Sequence, residues 1–398
     1  MWQKIKLFIQ GKSKADVIFL LLFFLFLFVP MSHIDMSKKS IFENRAFATW
    51  KPLFNNSYNI NEHFGKDFDS WFGDRFCGRR TFIGIYNYIY MCVNGHVGKY
   101  ILDKEQNSIY RSTEFAHKKI ALIKENFASL YDLLSYCRDK KIKLYVLITP
   151  MRGDIYETKL AEKVVSLKKE KIWHNDFLNF IKDIEKEGKI KIIYPYEEFK
   201  DISLKRRLYH TNEHHWTDDG AYIAYLKLMQ DIKSDFPKIN TLQPDEFNYH
   251  ARFEDSVFNE FFIYRDFCMQ LALPQNLCQK IYSNKYRQYE HKNVGMLFEE
   301  NIYKQFLNKT ELNYPLGADY RVLLIGTSNI ENFEKFIGYT FKNVKKIRLN
   351  GVKGIKEEDE FKIMKYYEKE ILDYKPDIMI LCISYTNLLS LNKIFDKD

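Results

Sequence analysis

The chain has 398 residues, enough for one large core or two modest ones, so size does not exclude a catalytic domain. Charged residues make up 28% and hydrophobic residues 46%, the latter dispersed along the chain, which excludes wholesale disorder and a multi-spanning membrane protein. The net charge of +9 comes without an arginine-rich arm or other nucleic-acid signature, so it points to an anionic glycan or lipid surface or to simple enrichment in lysine, not to nucleic acid.

In chain order, Lys4, Lys6, Lys12 and Lys14 precede an apolar run from Val17 to Val29, which Pro30 and His33 end. A charged start followed by such a run is a signal peptide or a signal anchor. The run is shorter than the ~20 residues of an average spanning helix, which argues for cleavage. No Ala-x-Ala-like site follows, however, because the next residues are Val29-Pro30-Met31-Ser32-His33. The reading is a cytoplasmic tail over 1–14, a single-pass anchor in the inner membrane over 15–32, and an extracytoplasmic remainder. Six cysteines then fall in an oxidising compartment, with Cys268 and Cys278 the first pair expected to bridge and Cys382, inside an apolar run, a buried thiol. No Cys-x-x-Cys occurs, so no structural zinc site is predicted.

Residues 33–112 read as an aromatic-rich juxtamembrane segment. Phe68 to Phe76 has a bulky apolar face and predicts a helix ending near Gly78, with a structural role only. From about residue 113 to 398, helical patterns precede short aliphatic runs: 144–148, 190–194, 322–325, 346–349 and 378–383. Helical periodicity covers 114–139, 157–187, 217–232, 329–342 and 356–374. Strands apolar on both faces and separated by amphipathic helices predict an α/β fold, a parallel sheet with helices on both faces. The rhythm breaks over about 237–319, which holds Pro237, Pro244, Pro274 and Pro315 and no run resembling a central strand, and reads as an irregular insertion able to cap a site.

Two places carry candidate chemistry. Val322-Leu323-Leu324-Ile325-Gly326-Thr327-Ser328-Asn329 presents a serine after a buried strand and at a helix start, where free backbone N–H groups favour a developing negative charge. Ser328 is thus a candidate nucleophile, the plainer reading being a helix N-cap. The second place is Tyr209 to Tyr222, containing Glu213-His214-His215-Trp216-Thr217. Thr217 suits an N-cap, so His215 lies just ahead of a helix, where positive potential favours the neutral, basic ring. On an extended strand Glu213 and His215 share a side, so the carboxylate can orient one ring nitrogen and leave the other for a serine. Asp218 or Asp219 is an alternative acid. A metal held by His210, His214 and His215 is disfavoured because the order lacks His-Glu-x-x-His, and a purely structural loop is the remaining alternative.

With both places in view, the chain resembles the alginate O-acetyltransferase-like branch of the SGNH hydrolases, including relatives named for an Asp-His-His-Trp motif. The matching pieces are Glu213-His214-His215-Trp216-Thr217 against Asp-x-His-Trp and Gly326-Thr327-Ser328 against Gly-Asp-Ser. Softer matches are Asp74-Arg75-Phe76 with Arg79, and Thr149-Pro150 with Tyr156-Glu157 and Leu160. The resemblance implies an SGNH-like fold and O-acetylation of a cell-surface or exported polysaccharide through Ser328, His215 and Glu213, with an acetyl-serine intermediate. No cofactor and no metal are expected. As partners the resemblance implies a polysaccharide acceptor and a multi-spanning membrane acyltransferase that passes acetyl outward. Asn329, Tyr385, Asn387, Trp216 and His214 are the residues expected to bind oxyanion or substrate.

Two departures stand beside the match: Glu213 takes the place of aspartate, and Thr327 the place of the aspartate before the serine. The first keeps the charge and adds one methylene; the second loses the charge. An acetyl esterase with the same triad is the nearest rival, and a catalytically impaired glycan-binding or assembly protein is the rival from another class.

Overall fold

The computed structural model describes residues 13–111, 130–156, 170–186, 191–253, 266–292, 309–348 and 373–384, apart from positions 41, 44, 55–58, 132 and 315. The chain divides into two compact units, residues 1–97 with 257–280, and residues 98–256 with 281–398.

The first unit opens with helix α1 (Lys14–Phe28). Ser13 and Asp16 form a reciprocal cap at its start, each side chain accepting from the other's backbone N–H at 3.2 and 3.0 Å. Pro30 then tightens the chain into a 3-10 turn. Lys14–Met31 spans 18 residues with mean hydropathy 2.3 and no burial, so it is long and apolar enough to cross a membrane by length and composition. Helices α2 (Phe64–Arg75) and α3 (Arg79–Asn94) follow, Gly78 making the break between them at a φ of 77° that disfavours any side chain. Asp74 accepts from Arg45 at 2.5 Å and from the Ala48 N–H at 2.7 Å, while Arg75 donates to the Ala48 carbonyl at 2.8 Å. Asp74 thus has its buried charge paired by Arg45, while the Arg75 guanidinium is satisfied by a backbone carbonyl.

The second unit starts with a hairpin, β1 (Tyr100–Asp103) against β2 (Ser108–Arg111). Then come β3 (Lys143–Thr149), the one-turn helix α4 (Arg152–Ile155), α5 (Glu170–Lys186), β4 (Ile192–Ile193), α6 (Tyr196–Ser203) and α7 (Asp218–Asp235). A second hairpin, β5 (Phe247–Phe253) with β6 (Lys285–His291), precedes β7 (Lys309–Asn313), β8 (Ala318–Gly326), α8 (Ile330–Thr340), β9 (Phe341–Arg348) and β10 (Ile378–Ser384).

Six strands make the main sheet in the order β7-β9-β8-β10-β3-β4; five are parallel, and the edge strand β7 runs antiparallel to β9. The five parallel strands are the five aliphatic runs of the sequence. Because side chains alternate across a strand, Tyr145, Leu147, Val322, Leu324, Ile378 and Ile380 pack on one face with α7 and α8. Leu144, Val146, Ile148, Leu323, Ile325, Met379 and Leu381 pack on the other with Phe177, Ile181 and Ile184 of α5. Each such buried aliphatic side chain stabilises the sheet by about 1.5–3 kcal/mol, which is why the central strands carry no alternation of polarity. The predicted helices over 217–232 and 329–342 correspond to α7 and α8; residues 170–186 of 157–187 form α5, and 356–374 lies almost wholly outside the described residues. Within 237–319 the chain supplies the β5–β6 hairpin and the edge strand β7, none of them central to the sheet.

All six cysteines are free thiols, which corrects the expected Cys268–Cys278 bridge: both are buried singly, Cys278 Sγ lying 3.8 Å from the Leu273 carbonyl. Cys382 is buried in β10, as its apolar run implies, and burial pushes its thiol pKa up.

Candidate active site

Strand β8 ends at Gly326, which pairs with Cys382 of β10. A Cβ there would sit 2.1 Å from the Cys382 carbonyl oxygen and 2.3 Å from the Ile330 side chain, so only glycine lets the strand leave the sheet at this point. The Thr327 N–H then donates to the Cys382 carbonyl at 3.1 Å and the Ile330 N–H to the Thr327 carbonyl at 3.0 Å, closing a tight turn with Ser328 at its crest. Asn329, not Ser328, occupies the N-cap of α8, so the serine hydroxyl is not engaged as a helix cap. The Thr327 Oγ1 is buried without a hydrogen-bond partner among the described residues.

The histidine segment is a loop from Leu208 to Trp216 whose ends meet in a single antiparallel bridge, Tyr209 with Trp216. The Thr217 N–H donates to the Leu208 carbonyl at 2.9 Å, and the His210 N–H to the His215 carbonyl at 3.1 Å. Thr217 caps α7 as its sequence predicts, accepting from the Gly220 N–H at 3.5 Å. Gly220 is required because a Cβ would meet the Leu208 carbonyl at 2.4 Å. Residues 211–215 are bends, so Glu213 reaches His215 around a tight turn and not along an extended strand. Its Oε2 accepts from the His215 backbone N–H at 3.2 Å and also bonds His215 Nδ1.

The loop and the turn meet. His215 Nε2 lies 2.6 Å from Ser328 Oγ. Glu213 and His215 are buried, at 3% and 5% exposure, and the serine is half-buried. Burial opposes ionisation of Glu213, yet the imidazole of His215, by charge and hydrogen bond, holds the carboxyl well below the usual carboxylate range, with smaller help from His210 and His214. An ionised carboxylate on Nδ1 fixes the ring with its proton there and leaves Nε2 to accept from the hydroxyl. Neither Asp218 nor Asp219 bonds the histidine: Asp218 accepts from the Tyr289 N–H at 2.8 Å and pairs with Lys335, and Asp219 accepts from the Tyr289 hydroxyl at 2.8 Å.

The two halves are fastened on each side of that contact. Trp216, 1% exposed, donates from its indole N–H to the Asn329 carbonyl at 2.8 Å, and Asn332 donates to the Trp216 carbonyl at 2.7 Å. The expected substrate-facing place of Trp216 therefore gives way to one of holding the serine turn. Asn329 donates from its side-chain amide to Thr149 Oγ1 at 2.9 Å, which ties the turn to the end of β3. His214 is part-exposed beside His215, ring centroids 4.1 Å apart. Glu213, His214 and His215 offer ligand atoms within 4.8 Å of one another, but the carboxylate and both ring nitrogens of His215 are already hydrogen-bonded, so an ion would compete with those bonds. Tyr385 and Asn387 lie outside the described residues.

Arg152 is the residue that sequence reasoning assigned no part. It is 2% exposed, lies against the ring of Tyr110 at 3.9 Å, and donates to the carbonyls of His210 at 2.5 Å, Glu213 at 2.7 Å and Ile109. Its one sequence signal is an arginine three residues past the end of a buried strand, where a cation needs several acceptors.

Residues 108–304 match the family model described as SGNH hydrolase-like domain, acetyltransferase AlgX. Over these residues the chain is similar to the SGNH hydrolase-like acetyltransferase domain that the family model describes. The matched span holds Glu213 and His215 and stops short of Ser328. No curated protein matches by sequence. Among solved structures, that of Bacillus cereus PatB1 with a sulfonyl adduct aligns over 75% of this chain and 100% of its own at 14% identity and a TM-score of 0.50, a likeness of fold. The O-acetyltransferase domain of Pseudomonas putida AlgJ aligns over 73% of this chain and 92% of its own at 12% identity, TM-score 0.43. Pseudomonas aeruginosa AlgX aligns over 75% of this chain and 66% of its own at 17% identity, TM-score 0.43. In this chain His215 and Glu213 come from a loop before α7 and Ser328 from the turn after β8.

Proposed function

We propose that this domain is an O-acetyltransferase that modifies a polysaccharide outside the cytoplasm, using Ser328 as nucleophile, His215 as general base and acid, and Glu213 as the orienting carboxylate. The observation that carries the reading is the 2.6 Å approach of His215 Nε2 to Ser328 Oγ, with Glu213 on the opposite ring nitrogen. In the first half-reaction His215 takes the hydroxyl proton as Ser328 Oγ attacks the acetyl carbonyl. The tetrahedral oxyanion faces the backbone N–H groups of Ser328 and Asn329 at the start of α8. Collapse breaks the bond to the donor's leaving group, which departs with the proton from His215, and acetyl-Ser328 remains. A sugar hydroxyl then gives its proton to His215 and attacks the acetyl carbonyl, releasing Ser328 with its proton restored.

The apolar Lys14–Met31 helix fits a single-pass anchor that keeps the domain at the outer face of the inner membrane. A multi-spanning acyltransferase in the same membrane is the source of acetyl groups this arrangement requires, since the cytoplasmic pool lies on the other side. Hydrolysis of the acetyl-enzyme by water would make the same site an esterase, so the assay measures both outcomes.

The test is turnover of an acetyl-ester probe by the purified chain, with and without an oligosaccharide acceptor, together with labelling of Ser328 by a sulfonyl fluoride read by mass spectrometry. Ser328→Ala and His215→Ala are expected to lose about 10³-fold or more in turnover, and Ser328→Ala all labelling. Equal turnover in wild type and both variants would overturn the proposal.

A further inference from the structure

Helix α3 (Arg79–Asn94) carries its apolar residues on the wrong side for a helix of a water-soluble domain. Phe82, Ile85, Tyr86, Ile89, Tyr90 and Val93 recur at the three- and four-residue spacing of one helical face, and all six stand exposed. The buried face holds Gly84, Asn87 and Met91. A Cβ on Gly84 would meet the Ala272 carbonyl oxygen at 2.3 Å, and Asn87 donates to the Leu271 carbonyl at 2.8 Å, so this is the side fixed against the rest of the first unit. No charged residue occurs from Thr81 to Asn94. A helix of this length runs about 24 Å, and an unbroken apolar stripe along it marks a contact surface.

What covers the stripe follows from where the helix begins. The Cys77 N–H donates to the Pro30 carbonyl at 3.0 Å, and Ile34 pairs with Phe76 in an antiparallel bridge, so α3 starts level with the end of α1. The Phe82 ring then lies 5.6 Å from that of Phe26, inside the apolar span Lys14–Met31. The stripe thus continues the apolar surface of α1 on a second element. Tyr86 and Tyr90, one turn apart with ring centroids at 4.7 Å, are of the amphipathic type favoured at the depth of lipid headgroups.

We propose that α3 lies in the outer interface of the membrane that α1 crosses, its stripe sunk among headgroups and upper acyl chains as a second attachment of the first unit. The proposal goes beyond the catalytic reading and rests on that of α1 as an anchor. Two other occupants fit less well. A second copy docking through a helix pair in water needs charged flanks to set register, and the stripe has none. A helix of another membrane protein packs best on small residues, whereas the glycine of α3 faces inward and the stripe is built of large side chains. The arginines at the start of the helix are engaged elsewhere. Arg79 donates to the Gly73 carbonyl at 2.8 Å and pairs with Glu43, and Arg80 donates to the Met269 carbonyl at 3.0 Å and stacks on the Phe42 ring at 3.6 Å. Attachment is therefore apolar and indifferent to lipid charge.

The experiment places a nitrobenzoxadiazole probe on Val93→Cys of the full chain, reconstituted in phosphatidylcholine vesicles. Cys77 and Cys92, the cysteines that are not buried, are changed to serine. Doxyl-labelled lipid is expected to quench the probe about threefold and aqueous iodide to leave it unquenched, with the same result when phosphatidylglycerol is added. Ile85→Glu with Ile89→Glu, both exposed, is expected to reverse that pattern while flotation with vesicles, melting temperature and acetyl-ester turnover stay unchanged. Tyr90→Ser is expected to shift it part of the way. A chain that floats with its vesicles while iodide and not lipid quenches the probe overturns this proposal alone. Failure to float overturns the anchor and this proposal together. Shielding from both quenchers, with a Val93→Cys dimer formed on oxidation of the unlabelled chain, overturns it in favour of a second copy.

Discussion

Arg152 donates to the main-chain carbonyl of Glu213 at 2.7 Å, so the acid of the site is positioned through its backbone as well as through its carboxylate. The same guanidinium bonds the His210 and Ile109 carbonyls, which clamps the turn that carries Glu213 to the β1–β2 hairpin. Arg152→Ala leaves three buried carbonyls without this donor and is expected to cost about 3 kcal/mol in urea unfolding, at 1–3 kcal/mol for each buried group left unsatisfied and partial relaxation of the rest. Acetyl-ester turnover is expected to fall about tenfold with KM little changed. Arg152→Lys, which retains charge but not the fork of donors, is expected to recover part of both. Unchanged stability and turnover in Arg152→Ala would show that the clamp is dispensable.

Glu213 gives a pH signature. Its folded-state pKa is depressed, so the stabilisation it contributes is fully present above the unfolded value of about 4.3 and is lost as pH falls through the folded value. The stability difference between wild type and Glu213→Gln is therefore expected to be level above about pH 5 and to shrink on acidification. Turnover by Glu213→Gln is expected to drop about 10³–10⁴-fold, because a neutral amide no longer fixes the tautomer of His215. A difference in stability that grows as pH falls would contradict the assignment of Glu213 as the ionised partner.

In the helix that follows Ser328, Glu334 of α8 pairs with Lys346 of β9, both 2% exposed. Burial raises the Glu334 pKa to about 7 despite the lysine. Here the sign is opposite to that of Glu213. The folded state binds the proton more tightly than the unfolded chain, so stability falls as pH rises from about 4.5 to about 7, by about 3 kcal/mol from this group. Glu334→Gln is expected to flatten that part of the stability profile, measured by urea unfolding across the range. A profile of unchanged slope would show that the carboxyl is ionised throughout.

The Trp216 indole is the hinge pin between the two halves of the site. Trp216→Phe removes the N–H bonded to the Asn329 carbonyl while keeping most of the ring volume. It is expected to cost about 1–2 kcal/mol in stability and to slow sulfonyl labelling of Ser328 several-fold, since a buried carbonyl is left without its donor. Labelling at the wild-type rate would mean that the serine turn holds without it.

The sequence makes the sheet legible because its five parallel strands are buried on both faces and so appear as unbroken aliphatic runs. Strand β7 is not legible in the same way: it is an edge strand, Lys309–Asn313, and one open side removes the need for an apolar run. Ser328 and His215 are legible because their neighbours are dictated by geometry. Gly326 has to pass the Cys382 carbonyl, and Gly220 the Leu208 carbonyl. The path from Glu213 to His215 is not legible, since a two-residue spacing suits both a strand and a tight bend, and the backbone bonds of 208–217 decide between them. Arg152 escapes notice because its partners are carbonyl oxygens, which every residue possesses and no motif records. Thr149 is hidden for the reverse reason: its hydroxyl matters only because the amide of Asn329, 180 positions later, comes to meet it.

That long separation has a consequence for the order in which reactivity is acquired. His215 and Ser328 are 113 positions apart, and the turn that presents Ser328 is closed by a carbonyl of β10. The serine turn therefore lacks the carbonyl that closes it until residues 378–384 have entered the sheet between β8 and β3. Sulfonyl reactivity of one hydroxyl thus reports on closure of the whole sheet, a clock on folding as much as a measure of chemistry.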